Sequence, residues 1–481
     1  MDIPSLIFWE SPNYVDPGIT KSTIEDSRLS ELITSNAMSI LMHPCSAEGI
    51  NARQIFIREL EEDKEKYNCC LRLKADLVTL DSCEISRRSS VSDGEKAFKT
   101  IRQLKAFTSC IDRILDIKSE SPLVKRLQDF WNVENKDYID GIRADIKEGE
   151  ALIDSIGEFI FRLDSSGFSV MKNTGGVDYV DELNCICRNL DIKITPPSRM
   201  NLRIEGAISD GLELLYPKVF KRLYEIEKKY IDLPERQVFG YKKELDFCYE
   251  IIELKKKAEA NGIASCYPRI SEKICFTAEN AHDISLLHKK SEKIVPNDIS
   301  FADDTKFCFL TGANGGGKTT YLRTVTINLI LGVCGCPVFC SSATVYPFKR
   351  VMTHFPEDER FSDIGRLVEE QKRIRQMLDI ADDKCFILFN ETFSGTDDVK
   401  GCRMTMETVD EIKKKNALGL FVTHFHEVVK MNLPMLSTMI DENNDNRRMF
   451  KIVMKNGGIN SSFANDILKK YRLDRVSLEN R

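Results

Sequence analysis

The sequence has no excess of positive charge. Lysine and arginine number 69 against 75 aspartates and glutamates, which gives a net charge of −6. A protein dedicated to binding nucleic acid usually has a clear basic excess. A basic stripe on one face is nevertheless compatible with an acidic total. The composition therefore neither supports nor excludes DNA binding.

The sequence also lacks the marks of secretion and of membrane insertion. The start, MDIPSLIFWESPNY, has neither the cationic residues nor the apolar run of a signal peptide. The most apolar stretch, residues 329–340, is short and contains glycine and proline, which is not typical of a membrane span. The 16 cysteines are not spaced as a disulfide framework in a chain this long. We therefore expect a cytoplasmic protein with buried thiols and no membrane partner.

The composition is that of a globular protein. Hydrophobic residues make up 42% of the 481 residues and charged residues 30%. A chain of this length predicts about two to four domains. The sequence contains neither internal repeats nor low-complexity segments.

The N-terminal half is mainly helical by pattern. Apolar residues recur at helical spacing along residues 101–115 and, with one longer step, along residues 142–160. A long helix is predicted from Pro234, a good first-turn residue, to Asn261 and Gly262, which suit a helix C-terminus. Helices that are apolar on more than one side pack between neighbours.

A short interruption divides these helical stretches. Residues 189–205 alternate apolar and polar side chains around a Pro-Pro pair, which predicts a short strand pair. Glycine-containing segments at 165–167 and 175–176 predict turns nearby.

From about residue 271 strands alternate with helices. Short apolar runs at residues 306–311, 385–389 and 418–423 predict buried strands, and the second and third each follow a helical segment. This alternation predicts an α/β domain with a mostly parallel sheet covered on both faces.

A glycine-rich segment follows the first of these strands. Residues 312–319 read GANGGGKT and fit the pattern G-x-x-x-x-G-K-S/T between a strand and a helix. Glycines let successive backbone N–H groups point at a phosphate, a lysine reaches the β- and γ-phosphates, and the final hydroxyl ligates Mg²⁺. The sequence therefore predicts an ATP and Mg²⁺ site. Its residues are Gly312, Ala313, Asn314, Gly315, Gly316, Gly317, Lys318, Thr319 and Thr320.

The second apolar strand ends in Asn390 and Glu391. P-loop ATPases usually carry an aspartate at the first of these positions, which holds Mg²⁺ through water. Asn390 and Thr319 are therefore the predicted metal-site residues. Glu391 is placed to orient and polarise the attacking water. The alternative interpretation is that Glu391 is a surface residue at the end of a strand. This interpretation is less favoured because a phosphate loop lies upstream in the sequence.

The third strand ends in Thr423 and His424, and His424 is a candidate sensor of the γ-phosphate. His424, His426 and Glu427 also admit a metal-binding interpretation, but no further ligand lies at suitable spacing. His426 is better explained as a surface or packing residue.

A cysteine cluster admits a metal interpretation too, although core packing is the favoured explanation because these residues sit on the apolar end of the helix after the phosphate loop and on the strand that follows. The cysteines are Cys334, Cys336 and Cys340.

Together the motifs of the C-terminal part resemble those of the MutS family of DNA mismatch-repair ATPases. GANGGGKTTYLR is similar to the family's phosphate loop, which usually has proline at the position of Ala313 and keeps the asparagine seen here as Asn314. Four further segments carry the resemblance. VPNDI at 295–299 resembles the family's strand near the adenine, and THF at 353–355, with GRL at 365–367 and EE at 369–370, resembles the segment that the nucleotide of the partner subunit contacts. FNETFSGT at 389–396 resembles the hydrolytic strand and the dimer-contacting loop after it, and VTHFHE at 422–427 resembles the switch-histidine region.

The resemblance continues upstream and implies an architecture. Residues 53–60 resemble the start of the family's helical core, and residues 212–270 its lever helix. It implies a mainly α core and lever domain over residues 1–270. It also implies a P-loop ATPase domain of the ABC type over residues 271–481, ending in a helical tail. In the family two ATPase domains close on each other, so a homodimer with two composite ATP sites is expected.

Two departures from the family pattern matter. Asn390 replaces the usual aspartate, so hydrolysis is expected to be slow. The N-terminal part is too short for the family's mismatch-reading and connector domains. An aromatic-x-Glu reader is not found in a plausible place, since the FTAE segment at 276–279 has the wrong spacing and lies next to the ATPase domain.

The function implied by the resemblance is an ATP-dependent DNA-binding clamp or switch in DNA repair or recombination, without mismatch discrimination. The main alternative is an ATP-driven scaffold that binds a protein and no DNA. A transporter-type ABC ATPase is a weaker alternative because the ATPase domain is fused to helices and not to membrane segments.

Overall fold

The computed structural model describes residues 3–12, 15–164, 167–173, 202–288, 294–302, 305–356, 363–441 and 447–454. By its internal contacts the chain forms two compact units. The helical unit contains residues 1–6 and 63–245, and the sheet unit contains residues 7–62 and 246–481. The predicted domain limits, 1–270 and 271–481, remain a prediction, and the predicted C-terminal helical tail lies outside the described residues.

The helical unit is built around the helix Asp93–Leu115. Its apolar stripe, predicted from residues 101–115, is confirmed and packs against neighbouring helices. The helices of this unit are Lys64–Arg88, Asp93–Leu115, Pro122–Asp129, Lys136–Asp154, Leu202–Leu215, Pro217–Lys229 and the first part of Glu235–Ala260, with a short π-helix at Phe130–Glu134.

An antiparallel hairpin replaces the end of one predicted helix. The helical pattern over 142–160 was wrong beyond Asp154, where the helix stops. Gly157 then takes a φ of +63°, which favours glycine, and the aromatic and β-branched residues that follow form β1, Phe159–Asp164. β1 pairs antiparallel with β2, Gly167–Lys172, and residues 165 and 166 of the predicted turn lie outside the described residues.

The predicted strand pair at 189–205 is wrong where the structure describes it. Residues 202–205 begin the helix Leu202–Leu215, and residues 189–201 lie outside the described ranges, as does the predicted turn at 175–176. Alternation over four residues does not distinguish a strand from a helix. The helix is favoured because its apolar spacing continues to Leu212, which packs with Phe220 in a small core.

The sheet unit contains two short helices, Lys21–Asp26 and Ser35–Leu41, and the longer helix Ala47–Glu62. It also contains the second part of the long helix Glu235–Ala260. The predicted long helix from Pro234 to Asn261 is confirmed, and Gly262 follows it with a φ of +76°.

Two β-sheets lie in the described part of the sheet unit. The small sheet has the order β3-β7-β4-β5, with strands Arg269–Ile270, Ser342–Val345, Phe276–Ala281 and Asn297–Phe301. The large sheet has the order β12-β11-β6-β10-β9-β8. Its strands are, in that order, Arg447–Met454, Met435–Asp441, Phe307–Thr311, Leu418–Val422, Cys385–Asn390 and Arg350–His354.

The large sheet is mostly parallel, as predicted. Among its strands only β12 runs antiparallel to its neighbour. β6, β9 and β10 confirm the three predicted apolar strands and are buried along their length, except that the last residue of β9 is half-buried. Burial on both faces explains why they read as continuous apolar runs. Phe389 and Phe421 of neighbouring strands stack with ring centroids 4.9 Å apart.

Helices cover the strands of the sheet unit. The helix Lys318–Val333, here called the loop helix, contacts strands of both sheets and is almost wholly buried, so its apolar residues belong to the core. Two further helices are Asp363–Ile380 and Asp398–Lys414, and short 3-10 turns lie at Leu29–Glu31, Ile284–His288 and His426–Met431. Within the described ranges, each helix is too short or too polar to cross a lipid bilayer.

Candidate functional site

Three parallel strands end side by side at one edge of the large sheet. Leu310 in β6 is paired with Val422 in β10, which is also paired with Asn390 in β9. The ladder continues beyond the strands. The N–H of Thr423 donates to the Leu310 carbonyl at 3.0 Å, and the N–H of Glu391 donates to the Val422 carbonyl at 2.9 Å. The residues that follow β6, β9 and β10 therefore meet at the carboxyl edge, where parallel sheets usually form a binding crevice.

The loop after β6 has backbone angles that glycine adopts readily. Gly312, Gly315 and Gly317 have φ values of +134°, +70° and +97°. A Cβ on Gly312 would lie 2.2 Å from Thr438 Oγ1 of β11, so a side chain does not fit there. Gly317 is the residue immediately before the loop helix. The first N–H groups of that helix lack intrahelical partners and carry the positive end of its dipole.

The Lys318 ammonium group is held inside this loop. The side chain is only 4% exposed, and Nζ donates to the Gly312 carbonyl at 2.9 Å and to Asn314 Oδ1 at 3.1 Å. Glu391 Oε1 lies 3.5 Å from the same Nζ. A lysine is almost never buried unless its charge is compensated. The loop therefore holds a positive charge among oxygen atoms, next to the N-terminal N–H groups of the loop helix.

Thr319 and Asn390 come together across the sheet edge. Thr319 Oγ1 lies 3.3 Å from Asn390 Oδ1, within hydrogen-bond distance. A hydroxyl and an amide oxygen are both ligand types that suit a hard cation such as Mg²⁺, directly or through water. Asn390 brings no charge, so the negative charge at this point comes from the neighbouring Glu391. The donor set fits a magnesium ion that also binds phosphate oxygens.

Glu391 follows β9 in an unusual backbone conformation. Its φ is +48°, and Phe393 has a φ of +65°. Such angles cost free energy in residues other than glycine and cluster at functional sites. The Glu391 side chain is 35% exposed, so it is open to water while it faces Lys318. This combination suits a carboxylate that acts on a water molecule.

A buried contact behind Glu391 was not predicted. His354 at the end of β8 and Thr392 are 3% and 0% exposed, and His354 Nδ1 lies 3.0 Å from Thr392 Oγ1. The contact ties the turn after β9 to the neighbouring strand. The histidine was visible in the THF segment at 353–355, but its partner depends on the strand order β9-β8.

His424 occupies the edge of the site. It follows β10, its side chain is 43% exposed, and its Nε2 lies 4.0 Å from Asp398 Oδ1, which belongs to an exposed side chain. This is a loose contact in water. The geometry places His424 beside the crevice, next to the start of the helix Asp398–Lys414, and its predicted sensor role stays a prediction.

The aromatic ring of Phe450, in β12, is a second group near the phosphate loop that was not predicted. A Cβ on Gly317 would lie 3.5 Å from the Phe450 ring, and Phe450 is 47% exposed with a φ of +56°. Asn297 of β5 is hydrogen-bonded to the backbone of β12, the strand that carries Phe450. Its Nδ2 donates to the Phe450 carbonyl at 3.1 Å, and its Oδ1 accepts from the Ile452 N–H at 2.8 Å. A half-exposed aromatic ring thus borders the loop.

The three cysteines near residue 340 are buried in the core of the sheet unit, which agrees with the packing explanation. Cys334 Sγ lies 3.3 Å from the Leu41 carbonyl. Within the described ranges, clusters of three or more histidine, cysteine or acidic side chains suited to a metal ion are not found.

The comparisons with known proteins agree with this geometry. Residues 308–473 match the family model described as MutS domain V. The DNA mismatch repair protein MutS of Staphylococcus epidermidis (strain ATCC 12228 / FDA PCI 1200) is 26% identical over 272 residues, which cover 55% of this chain and 30% of that protein. The protein of the same name from Staphylococcus aureus (strain JH9) is 26% identical over 273 residues, with the same coverage. The match thus spans less than a third of these relatives.

Proposed function

From the premise that this chain belongs to the MutS family, we propose that it binds ATP with Mg²⁺ and hydrolyses it to switch a DNA-bound clamp. One observation carries the proposal. The phosphate loop, the Thr319–Asn390 oxygen pair and Glu391 meet at the carboxyl edge of three parallel strands. The fold supports an ATPase of the ABC type.

The chain's own groups account for phosphate binding. The glycine-rich loop and the start of the loop helix offer N–H donors and a positive dipole end to an anion. Lys318 is held by the Gly312 carbonyl and the Asn314 amide, and phosphate oxygens are stronger acceptors for its charge than these neutral groups. The half-exposed Phe450 ring beside the loop offers an apolar surface to the base.

Hydrolysis is assigned to Glu391. Thr319 and Asn390 would hold a Mg²⁺ ion, which would neutralise phosphate charge when bound. The Glu391 carboxylate accepts a proton from, and orients, the attacking water. Its distance of 3.5 Å from Lys318 keeps the carboxylate in the crevice. Because Asn390 lacks the usual negative charge, we expect slow turnover.

Interaction with DNA is assigned to the helical unit. On the helix Pro217–Lys229, Lys218, Lys221 and Lys228 are exposed and lie on one face by their spacing. Such a stripe neutralises phosphates without reading bases. We propose a cytoplasmic homodimer in which ATP binding closes two ATPase domains around shared sites and hydrolysis opens them.

A protein-binding scaffold is the second candidate, and one observation favours it. Leu71, Val78 and Ile85 are 39%, 46% and 60% exposed and recur every seven residues on the helix Lys64–Arg88. An exposed apolar stripe is typical of a surface that binds another protein.

The decisive experiment measures binding of duplex, branched and single-stranded DNA probes, with and without ATP, at several salt concentrations. Replacing Lys218, Lys221 and Lys228 with glutamate should weaken DNA binding and lower its salt dependence, whereas Leu71, Val78 and Ile85→Ser should not. If all probes fail to bind at low salt while the apolar-stripe variant loses a protein partner, the scaffold function is correct.

A second measurement tests the site itself. Lys318→Ala should weaken ATP binding by at least about 30-fold, the loss expected for a buried charge-assisted contact worth about 2 kcal/mol. Lys306→Ala is the matched control, because this exposed lysine lies just before β6, at the opposite end of the strand. If the two variants bind ATP equally well, the assignment of the ATP site to this loop is wrong.

A further inference from the structure

Two cysteine thiols of the sheet unit face each other. Cys266 Sγ and Cys340 Sγ are 3.6 Å apart, although the two residues are 74 positions apart in the sequence. Cys340 is fully buried, whereas Cys266 is half-buried. The pair is not part of the proposed nucleotide site. Its two members differ in one property that matters for chemistry, which is access to solvent.

The backbone holds the two thiols close together. The Cys266 N–H donates to the Val338 carbonyl at 2.9 Å, and the Val338 N–H donates back to the Cys266 carbonyl at 2.8 Å. The segment that carries Cys340 is also bound to β4, since the Ser341 N–H donates to the Glu279 carbonyl at 2.9 Å. A disulfide has a sulfur–sulfur length of about 2.05 Å, so the two sulfur atoms need to approach by about 1.5 Å.

We propose that Cys266 and Cys340 form a reversible disulfide, with the half-buried Cys266 as the thiol that a peroxide oxidises first. The proposal does not depend on ATP hydrolysis or on DNA binding. It makes this pair a redox modification site.

The surroundings favour the thiolate on Cys266. The hydrogen bond from the Cys340 thiol, together with one from the Ala343 backbone amide, lowers the pKa of Cys266. The Cys340 pKa is raised, because its hydrogen bond to Cys266 and its burial both favour the neutral thiol. The thiolate is the nucleophile in cysteine oxidation, and a lowered pKa and solvent access select the residue that reacts.

The chemistry balances with hydrogen peroxide as the oxidant. The Cys266 thiolate attacks one peroxide oxygen, the O–O bond breaks, and the departing hydroxide takes up a proton to become water. This leaves a sulfenic acid on Cys266. The Cys340 sulfur then attacks the Cys266 sulfur. The S–S bond forms, the S–O bond breaks, and the hydroxyl leaves as water with the proton of Cys340.

The bond would enclose the phosphate loop, which is one part of the candidate nucleotide site, in a covalent loop. The residues between Cys266 and Cys340 include β4, β5, β6, the phosphate loop and the loop helix. A cross-link across a loop of this length restricts the unfolded chain strongly and stabilises the folded protein. The oxidised protein should therefore unfold at a higher temperature than the reduced protein.

The test treats the full chain with hydrogen peroxide, blocks the remaining thiols with an alkylating agent and maps the peptides by mass spectrometry without reduction. The expected result is a cross-linked peptide pair joining residues 266 and 340, lost on treatment with dithiothreitol. The midpoint of thermal unfolding should rise on oxidation and return on reduction. If both residues are found alkylated or oxidised separately after peroxide treatment, the proposal is wrong.

Variants separate the two roles. In Cys340→Ser, peroxide should leave a sulfenic acid on Cys266 that dimedone traps, because the second thiol is missing. In Cys266→Ser, Cys340 should stay unreacted because it is buried. Cys275→Ser is the matched control, since Cys275 is a half-buried cysteine just before β4 of the small sheet, and this variant should form the disulfide as the wild type does. Equal dimedone labelling of Cys340 in Cys266→Ser would overturn the order of attack.

Discussion

At the scale of single residues, the contact between Lys318 and Glu391 is the most informative feature of the site. A nearly buried ammonium group lies 3.5 Å from a carboxylate that is 35% exposed. The lysine charge is already compensated by oxygen atoms of its own loop. The carboxylate is therefore not needed to keep Lys318 buried, and its exposure to water favours a role in chemistry.

This assignment predicts the behaviour of Glu391→Gln. The amide keeps the shape of the side chain but cannot accept a proton from water. ATP binding should be retained, while kcat falls by about 100- to 10,000-fold, the range usual for loss of a general base. Single-turnover hydrolysis is the measurement, with Glu407→Gln as the control, because Glu407 is an exposed acid on the helix Asp398–Lys414. Unchanged single-turnover rates would contradict the role of Glu391.

Asn390 makes a separate prediction about Mg²⁺. The amide oxygen lies 3.3 Å from Thr319 Oγ1 and accepts hydrogen bonds like a carboxylate, but it adds no negative charge. The affinity for ATP should therefore depend less on Mg²⁺ than in Asn390→Asp, and the variant should bind Mg·ATP at least as well as the wild type. Titration of ATP at several Mg²⁺ concentrations measures this. Asn416→Asp, placed before β10, is the control. Loss of ATP binding in Asn390→Asp would show that the site requires a neutral group.

At the scale of elements, the sequence predicted those features that depend on neighbouring residues. The strands β6, β9 and β10 are continuous apolar runs, and the loop after β6 has glycines where φ is positive. Both features could therefore be predicted from the sequence. The place of Phe450 beside Gly317 was not readable, because it depends on β12 pairing with β11 far along the chain. The end of the helix at Asp154 was missed because Ile156 and Ile160 continue the apolar spacing into a different element.

The N-terminal segment was also beyond prediction from pattern alone. Its helix Lys21–Asp26 packs on β8, and Thr353 Oγ1 donates to Asp26 Oδ2 at 2.6 Å. Burial raises the pKa of Asp26 to about 6, in spite of the Thr353 hydrogen bond and the nearby charges of Arg373 and Arg323, which lower it. Contacts between residues more than 300 positions apart follow from the fold and leave no local signal.

The raised pKa of Asp26 predicts a pH-dependent stability. A carboxyl group whose pKa is higher in the folded state stabilises the fold at low pH, and that contribution is lost as the pH rises from about 4 through 6. Asp26→Asn keeps an acceptor for Thr353 without this loss. The variant should therefore be more stable than the wild type at pH 7.5 by about 1 to 3 kcal/mol, and by much less at pH 4.5. Urea unfolding at the two pH values measures the difference.

Asp16 provides the control for this prediction. Its hydrogen bond to Arg350 lowers its pKa, so its contribution to stability is present above the unfolded pKa and lost as the pH falls. Asp16→Asn should therefore not become more stable than the wild type at pH 7.5. A pH-independent difference for Asp26→Asn would show that the Asp26 carboxyl does not titrate as stated.

At the scale of the whole molecule, the proposed interaction with DNA rests on charge, through the exposed lysines of the helix Pro217–Lys229. Mismatch reading requires an apolar wedge that enters the duplex at a flexible site. The FTAE segment at 276–279 is the nearest sequence match, but Phe276 is fully buried in β4 and packs edge-on against Phe386. It is therefore a core residue of the sheet unit, and the described helical unit consists of helices and one hairpin.

We therefore predict that this chain does not distinguish mismatched from perfect duplex DNA. Phosphate contacts by residues such as Lys218 and Lys221 depend on charge, so the affinity should fall steeply with salt and be indifferent to base pairing. The measurement is a competition between a perfect duplex and the same duplex with one G·T mismatch, with and without ATP. The preference should stay below about tenfold, which corresponds to about 1.4 kcal/mol. A larger preference that survives the glutamate substitutions at Lys218, Lys221 and Lys228 would locate a base-reading element elsewhere in this chain. A preference lost with them would show that the lysine stripe itself senses the distortion at the mismatch, because a flexible site lets the duplex bend towards a basic surface.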